Sequence, residues 1–147
     1  MRQLVYVMRF TGQVAAVGPD GTVLMVTASA PGTTLTTRVG HTGLACVLEL
    51  EAGKATFVSE LTLTGKTSFQ EVGTVVVGNG HRLRFATIGS GYLGPGPDSM
   101  RQQGAVVWRV EGGEGQFAGA CGLITSNFSL DADHGLISHH LGVLFIP

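Results

Sequence analysis

Apolar and polar residues alternate along most of the chain, in short runs that glycine and proline separate. The run over residues 4–17 ends at a Gly-Pro-Asp-Gly turn sequence, and similar runs follow to the end of the chain. No stretch of about ten residues holds apolar side chains at helical spacing without an interrupting glycine or a run of β-branched residues. The pattern therefore predicts a chain made almost wholly of β-strands.

The predicted strands follow one another without the helical spacing that parallel sheets need. They cover residues 4–17, 22–30, 33–39, 44–51, 54–64, 67–77, 82–89, 101–111, 120–130 and 136–146. Turns are predicted at Pro31-Gly32 and Ala52-Gly53, and residues 89–99 form a predicted structureless loop, the best candidate for a gate. Consecutive hairpins favour a single closed antiparallel β-barrel of about eight strands over a two-layer sandwich.

The composition adds that the chain is apolar for its size. It has 147 residues, which suits a single domain over residues 1–147, and a mean hydropathy of +0.30. Charged residues make up only 13%, about half the usual share. Either the interior is large for the surface, as in a barrel, or another subunit covers part of the exterior. We expect both, and hence a homo-oligomer, a dimer or a trimer.

Charge and cysteine usage exclude several function classes. The net charge is −1 and the nine basic residues do not cluster, so nucleic acid is not expected as a partner. Arg9 interrupts the apolar N-terminus too early for a signal peptide or a membrane span, which predicts a cytoplasmic protein that does not bind membranes. Cys46 and Cys121 are then expected to be reduced and buried.

A glycine-rich segment, residues 110–122, reads Val-Glu-Gly-Gly-Glu-Gly-Gln-Phe-Ala-Gly-Ala-Cys-Gly. It resembles a signature of the allene oxide cyclase and dirigent-protein barrels, in which a strand ends in Gly-Gly-Thr-Gly, an aromatic residue follows, and a further glycine opens the next strand. The match covers Gly112 to Gly122, and Glu114 stands where those families have threonine. The resemblance implies an eight-stranded barrel, often trimeric, whose apolar cavity shapes a reactive ligand with few catalytic groups. Phe117 would then plug one barrel end.

Two stretches that imitate a dinucleotide fingerprint, at residues 89–94 and 113–118, lack the helix that would receive a pyrophosphate. No nucleotide or other cofactor is therefore expected.

Charged residues on the apolar row of a strand are the first candidates for chemistry, because they must line a cavity or be paired. Glu71 alternates with Phe69, and Arg84 alternates with Ala86 on the next strand. A pair across this hairpin would leave a carboxylate or a fixed cation available to a ligand. The alternative is an exterior ion pair, with the apolar rows partly covered by a neighbouring subunit.

Aromatic and amide side chains complete the predicted ligand site. Tyr6 and Met8 lie on a row that could line a pocket or pack as ordinary core, and Trp108 is read as core or pocket wall. The remaining predicted ligand contacts are Phe69 on the Glu71 row, Tyr92 over the mouth and Asn127 as a polar contact.

His139 and His140 enter the last strand, and adjacent side chains on a strand point to opposite faces. They cannot both join one metal site, so no metal is predicted. One of them must face inward, as a base or as a structural hydrogen-bonding group, and His139 is the catalytic candidate beside Glu71 and Arg84.

These features support one main hypothesis and two alternatives. The main hypothesis is a barrel that encloses a small apolar ligand and promotes a cyclisation or isomerisation by holding one conformer, without a cofactor. The alternatives are a non-catalytic carrier or directing protein of the same architecture, and an oligomeric assembly module.

Overall fold

A computed structural model gives the backbone of residues 1–147 and describes the side chains of residues 1–31, 37–47, 49 and 53–147. Nine antiparallel strands and a single 3₁₀ turn, Gly115–Phe117, make up the regular structure. The strands are β1 (Arg2–Val17), β2 (Val23–Gly40), β3 (Gly43–Leu63), β4 (Ser68–Val77), β5 (His81–Thr87), β6 (Gly91–Pro95), β7 (Gln102–Glu114), β8 (Cys121–Leu130) and β9 (Gly135–Ile146).

Eight of the strands close an antiparallel barrel, which confirms the predicted fold class. With β6 left aside, each strand pairs with the next one along the chain, including β3 with β4. The first and last strands pair along their length and complete the ring. The short β6 follows β5 in the gap between β4 and β7, where it pairs with both. Closure leaves the barrel without an open sheet edge, which removes a template for aggregation.

Two strand boundaries predicted from turn chemistry are wrong. β2 runs through Pro31-Gly32 and β3 runs through Ala52-Gly53, so four predicted strands are two long ones. The two breaking sequences lie close together across the strand pair, and a register shift between Pro31 and Thr33 absorbs them as a bulge. Gly32 and Ala52 themselves are outside the residues whose side chains are described.

The predicted loop over residues 89–99 is partly strand. Its central part forms β6, with Leu93 buried in the barrel and Tyr92 on the outside. Residues 89 and 90 and the part after Pro95 remain loop.

Inward-facing side chains from every strand of the ring form one core. Its centre is a group of aromatic rings. The ring centroid of Phe57 lies 5.4 Å from that of Phe85, 5.6 Å from that of Trp108 and 5.7 Å from that of Phe10. Phe117, from the 3₁₀ turn, is buried at one end of the barrel. The other end carries the β1–β2, β3–β4, β6–β7 and β8–β9 loops and forms the mouth.

Two outer features lack a covering layer within the chain. The outer face of β1, β9 and β8 exposes the large apolar residues Val5, Leu123, Leu141 and Phe145. Beyond Ala30 and Ala55, the described pairings of β2 and β3 are with each other, and this part of the two strands forms a two-stranded arm.

Cys46 and Cys121 are both free and exposed, so the expectation that they are buried is wrong. Both lie on outward-facing positions, on the arm and on β8. No helix in the part of the chain that the structure describes has the length and hydropathy to cross a membrane.

Candidate functional site

Two adjoining cavities lie between the mouth and the barrel interior. The outer one has a volume of about 530 Å³, within the range of roughly 300–1,000 Å³ that small-molecule sites occupy. The inner one has about 30 Å³, enough for about two water molecules. The same four apolar side chains line both cavities: Val14, Leu24, Leu93 and Leu130. The mouth therefore narrows into a small apolar pocket at the barrel interior.

The inner pocket carries a carboxyl group on its wall. Glu71, on β4, is only 5% exposed, and Ser59 on β3 donates a hydrogen bond of 2.5 Å to its Oε1. The backbone of Glu71 lies where β5 ends, and the Thr87 hydroxyl accepts from its N–H at 2.8 Å and donates to its carbonyl at 2.9 Å. These two hydrogen bonds hold the Glu71 backbone in place where the chain leaves β5.

Burial raises the pKa of Glu71 to about 7, from an ordinary value of 4.5. The hydrogen bond from Ser59 and the nearby indole N–H of Trp108 oppose this shift, because both favour the ionised form. The indole N–H does not make a hydrogen bond, and Trp108 Nε1 is buried without a partner among the described residues. A carboxyl group with this pKa can donate or accept a proton near neutral pH.

A chain of three buried polar side chains reaches the inner pocket from β8 and β9. His140 Nε2 lies 3.0 Å from the Ser138 hydroxyl, which lies 2.7 Å from the Ser126 hydroxyl. Both serines line the pocket together with Glu71. Because hydroxyl groups can reverse their hydrogen bonds, Ser126 can present either a donor or an acceptor to a guest.

His140 is a neutral member of this chain. Its ring is enclosed by Phe10, Phe57 and Trp108, at ring distances of 4.5, 5.1 and 5.0 Å. Burial, and to a smaller extent the charge of the adjacent His139, lower the pKa of His140 from 6.5 to about 3. The imidazole is therefore a weak base that orients Ser138, and its Nδ1 has no hydrogen-bond partner among the described residues.

The rim of the mouth is more polar than its floor. Lys66, Arg101 and His134 line it together with Asp98. The Asp98 carboxylate accepts from the Met100 N–H at 3.0 Å and lies 3.7 Å from Arg101 Nε, which orders the β6–β7 loop.

Arg84 does not approach Glu71, so the predicted pair across the hairpin is wrong. Thr74 faces Arg84 in the register of β4 and β5, which places Glu71 and Arg84 on opposite faces of the sheet. Leu83 and Phe85 fill the interior instead, because their side chains bury more apolar surface than Ala86. Arg84 pairs on the surface with Glu114, at 3.3 Å.

His139 also points outward, and the inward histidine is His140. Asn127 pairs with His139 across β8 and β9 and is exposed on the same outer face, so neither reaches the cavities. Tyr92 is 48% exposed and does not line the mouth. The placement predicted for these three side chains is wrong, because each lies on the outward row of its strand.

The other predicted residues face the interior at different depths. Trp108 lines the inner pocket beside Glu71, and Phe69 is buried, close to Phe128. Tyr6 and Met8 line a separate cavity of about 190 Å³ at the barrel end near Phe117. Burial raises the pKa of the Tyr6 hydroxyl, to which no described side chain or backbone group offers a hydrogen bond. Of the six predicted ligand contacts, only Trp108 lines the Glu71 pocket.

Sequence reasoning missed the serines and the histidine of this pocket. Ser59 shares the inward row of β3 with Phe57 and Leu61, and Ser126 and Ser138 share rows with Ile124 and Leu136. A small polar residue inside an apolar row was the available signal, since a buried hydroxyl needs a partner.

The fold is that of the closed antiparallel β-barrels, here with mostly apolar interior cavities and a few buried polar groups. Among solved structures, the chain is similar to that of the pterocarpan synthase dirigent protein GePTS1, with a TM-score of 0.50 and 15% identity over 98% of this chain and 86% of that one. This similarity shows the dirigent-type barrel fold. No protein-family model and no curated protein matches the sequence. No group of three or more side chains that could bind a metal occurs among the described residues.

Proposed function

We propose that the protein binds a small, largely apolar molecule in the barrel and promotes a cyclisation or isomerisation by holding one conformer of it. The observation that carries this proposal is the pair of adjoining cavities, with four shared apolar lining residues, that places Glu71 below the mouth. The outer cavity has room for a guest, and the inner pocket admits only a small group at its end. Such a constriction favours extended guests that place one end against the polar side chains.

The buried groups suit a reaction that needs orientation and one proton transfer. Glu71 would exchange a proton with the guest, since its raised pKa keeps both forms populated near neutral pH. Ser126 would hydrogen-bond a second polar atom of the guest, and Ser138 and His140 would hold that hydroxyl in place. Exclusion of water and a fixed geometry would lower the entropic barrier to ring closure.

The same cavity would serve a carrier or directing protein that performs no chemistry of its own. The dirigent-type fold supports this alternative as well, because the solved neighbour is a dirigent protein. In that case Glu71 and Ser126 would only bind.

Guest binding is testable through the single tryptophan, which lines the inner pocket. Titration with the neutral probe 4-phenylbutan-1-ol is expected to change the Trp108 emission in a saturable manner. Leu24→Phe, which narrows the passage between the two cavities, should weaken this change at least severalfold. The matched control Leu141→Phe, on the outer face, should leave it unaltered. A response that is absent, or equal in both variants, would refute guest binding in the barrel.

The apolar outer face of β1, β9 and β8 supports the further proposal that the protein is a homo-oligomer. Val5 faces Val143, which faces Leu123 on the next strand, so the exposed side chains are contiguous. A groove of about 250 Å³ runs over Leu123, Leu141 and Phe145. Contiguous exposed apolar surface of this kind marks protein–protein contacts.

A further inference from the structure

We propose that the barrel holds a second ligand site at the end opposite the mouth, which binds a neutral single-ring molecule through a hydrogen bond from the Tyr6 hydroxyl to its carbonyl or ether oxygen. The site is the cavity of about 190 Å³ near Phe117, called here the end cavity. Strands β1, β4 and β5 and the 3₁₀ turn line it, with Leu4, Tyr6, Met8, Val75, Leu83 and Phe117. This site is independent of the proposed function, which concerns the cavities at the mouth.

The aromatic core separates the end cavity from the mouth. Tyr6 and Met8, on the inward row of β1, line the end cavity. Phe10 follows them on the same row, and its ring centroid lies 4.5 Å from that of His140 in the core. Val14, further along the row, lines both cavities at the mouth. None of the described residues lines both the end cavity and a cavity at the mouth, so a ligand at this end would contact different side chains.

The Tyr6 hydroxyl is the observation that points to a ligand. Its oxygen is buried, and no described group forms a hydrogen bond with it. Burial raises the pKa of this hydroxyl, so it keeps its proton and remains a donor. A buried donor without an acceptor costs free energy, and nearly all such groups in native proteins have a partner. A ligand in the end cavity, which Tyr6 lines, would supply the acceptor.

The donor and the floor of the end cavity are both held in place by the fold. Gly142 faces Tyr6 in the register of β1 and β9, and a Cβ atom at this glycine would overlap the Tyr6 ring. The ring therefore lies against the β9 backbone. The 3₁₀ turn that carries Phe117 is held by a hydrogen bond of 3.1 Å from the Gln116 N–H to His81 Nδ1. A site that is already formed loses less conformational entropy when a ligand binds.

The lining of the end cavity defines the chemical class of the ligand. No charged side chain lines it in the described part of the chain, so an ion there would lose its hydration without a counter-charge. An apolar cavity of about 150 Å³ can bind benzene, so the end cavity admits one ring with a small substituent. A buried water commonly makes about three hydrogen bonds, whereas the polar side chains of the described lining are those of Tyr6 and Gln116. Apolar walls with one buried donor favour an organic molecule over water.

The experiment compares acetophenone with α-methylstyrene, a probe of nearly the same shape in which a CH₂ group replaces the carbonyl oxygen. Each is titrated into the methyl-labelled full chain and followed by NMR. The methyl groups of Met8 and Leu83 report on the end cavity, and those of Leu24 and Leu130 report on the mouth. Acetophenone is expected to shift the Met8 and Leu83 signals in a saturable manner.

Tyr6→Phe assigns the hydrogen bond. The variant should fold, because the hydroxyl makes no hydrogen bond to a described group. Its affinity for acetophenone at the end cavity should be about threefold to tenfold lower, which is the effect of one neutral hydrogen bond. Its affinity for α-methylstyrene should not be lower than that of the wild type, because this probe has no acceptor.

Two further variants locate the site. Leu4→Trp, at a half-buried position of the lining, should abolish the acetophenone shifts at Met8 and Leu83 because the larger side chain fills the cavity. Leu24→Phe, at the mouth, should leave them as in the wild type. Wild-type shifts that are absent from Met8 and Leu83, or an acetophenone affinity unchanged by Tyr6→Phe, would overturn this inference. Neither result would bear on guest binding at the mouth, which the Trp108 emission reports separately.

Discussion

At the scale of single residues, the interior of the barrel holds two ionisable side chains whose burial acts in opposite directions. Glu71 keeps its proton to about neutral pH, whereas His140 stays neutral down to strongly acidic pH. Both side chains form hydrogen bonds with serines, so the neutral form of each has a polar partner inside the barrel. Protein stability should therefore respond to pH through these two groups, with opposite signs.

The Glu71→Gln variant tests the first of these responses. Because the folded-state pKa lies above the unfolded value of 4.5, the native protein binds more protons than the unfolded chain between pH 4.5 and about 7. The contribution of Glu71 to the free energy of unfolding should fall over that interval as pH rises, by about 3 kcal/mol, and below pH 6.5 the contribution of His140 opposes it. Glu71→Gln should lose this dependence and be more stable than wild type at pH 8, as measured by urea unfolding. Glu60→Gln, an exposed neighbour on β3, should retain the wild-type profile. Identical profiles for the wild type and Glu71→Gln would contradict the burial of an ionisable Glu71.

The His140→Gln variant tests the second response. The folded-state pKa of His140 lies below its ordinary value of 6.5, so the unfolded chain binds more protons between pH 3 and 6.5. His140 should therefore contribute a loss of stability as pH falls below 6.5, on the order of 3 kcal/mol at pH 4. His140→Gln should flatten this acid limb, and the matched control His139→Gln should not. A larger effect from the exposed His139 would reverse the assignment of the inward histidine.

Alternation along a strand was enough to place Glu71 and Trp108 inside, because the apolar and polar rows of their strands differ clearly. It failed at His139 because both rows of β9 are apolar. One row packs in the core and the other, with Leu141 and Phe145, forms the exposed outer face. The alternation was misleading at Arg84 for a similar reason. Ala86 in β5 and Ile88 just after it are both apolar, although they share the outward row with Arg84. The serine network was out of reach because it joins residues on different strands.

At the scale of elements, inward-facing glycines let neighbouring strands accommodate large rings. Gly73 faces the Phe85 ring, Gly104 faces Phe128 and Gly142 faces Tyr6, each in a space that a Cβ atom would fill. Glycine inside a strand commonly marks such a close approach. The sequence shows these glycines, but only the paired strands show which ring each one accommodates. The same limit explains the wrong turns in β2 and β3, where two breaking sequences compensate each other across the strand pair.

Gly73→Ala tests this packing. The added methyl group would overlap the Val58 carbonyl oxygen and the Ser59 side chain, so backbone must move. Unfolding by urea should show a loss of about 1–3 kcal/mol. Gly40→Ala, at the end of the arm where a Cβ meets nothing, should change stability by much less. Equal stabilities of the two variants would show that the strands are not in close contact at Gly73.

At the scale of the whole molecule, the fold class was predictable because consecutive hairpins with first and last strands of similar length close naturally into a ring. What a local pattern cannot supply is the width of the interior. The side chains of the aromatic core fill most of the barrel and separate the cavities toward the mouth from the one at the opposite end, beside Tyr6 and Met8. The exterior is also divided, with an apolar face on β1, β9 and β8 and a salt-bridged face where Glu114 meets Arg82 and Arg84.

Self-association through the apolar face predicts a solution mass above that of one 15.3 kDa chain. Leu141→Glu should shift sedimentation-equilibrium masses toward the monomer, because it places a charge within the contact. Val72→Glu, at an exposed valine on β4, is the control that should preserve the oligomer. A wild-type protein that sediments as a monomer at all concentrations would rule out this role for the face.

The central claim is that a guest enters the barrel through the mouth and reaches the neighbourhood of Glu71. Isotope-filtered nuclear Overhauser spectra of the labelled protein with 4-phenylbutan-1-ol test it most directly. The account predicts contacts from the probe to the methyl groups of Leu24, Leu93 and Leu130, which line both cavities. Contacts confined to Leu123 and Leu141 on the outer face would contradict it.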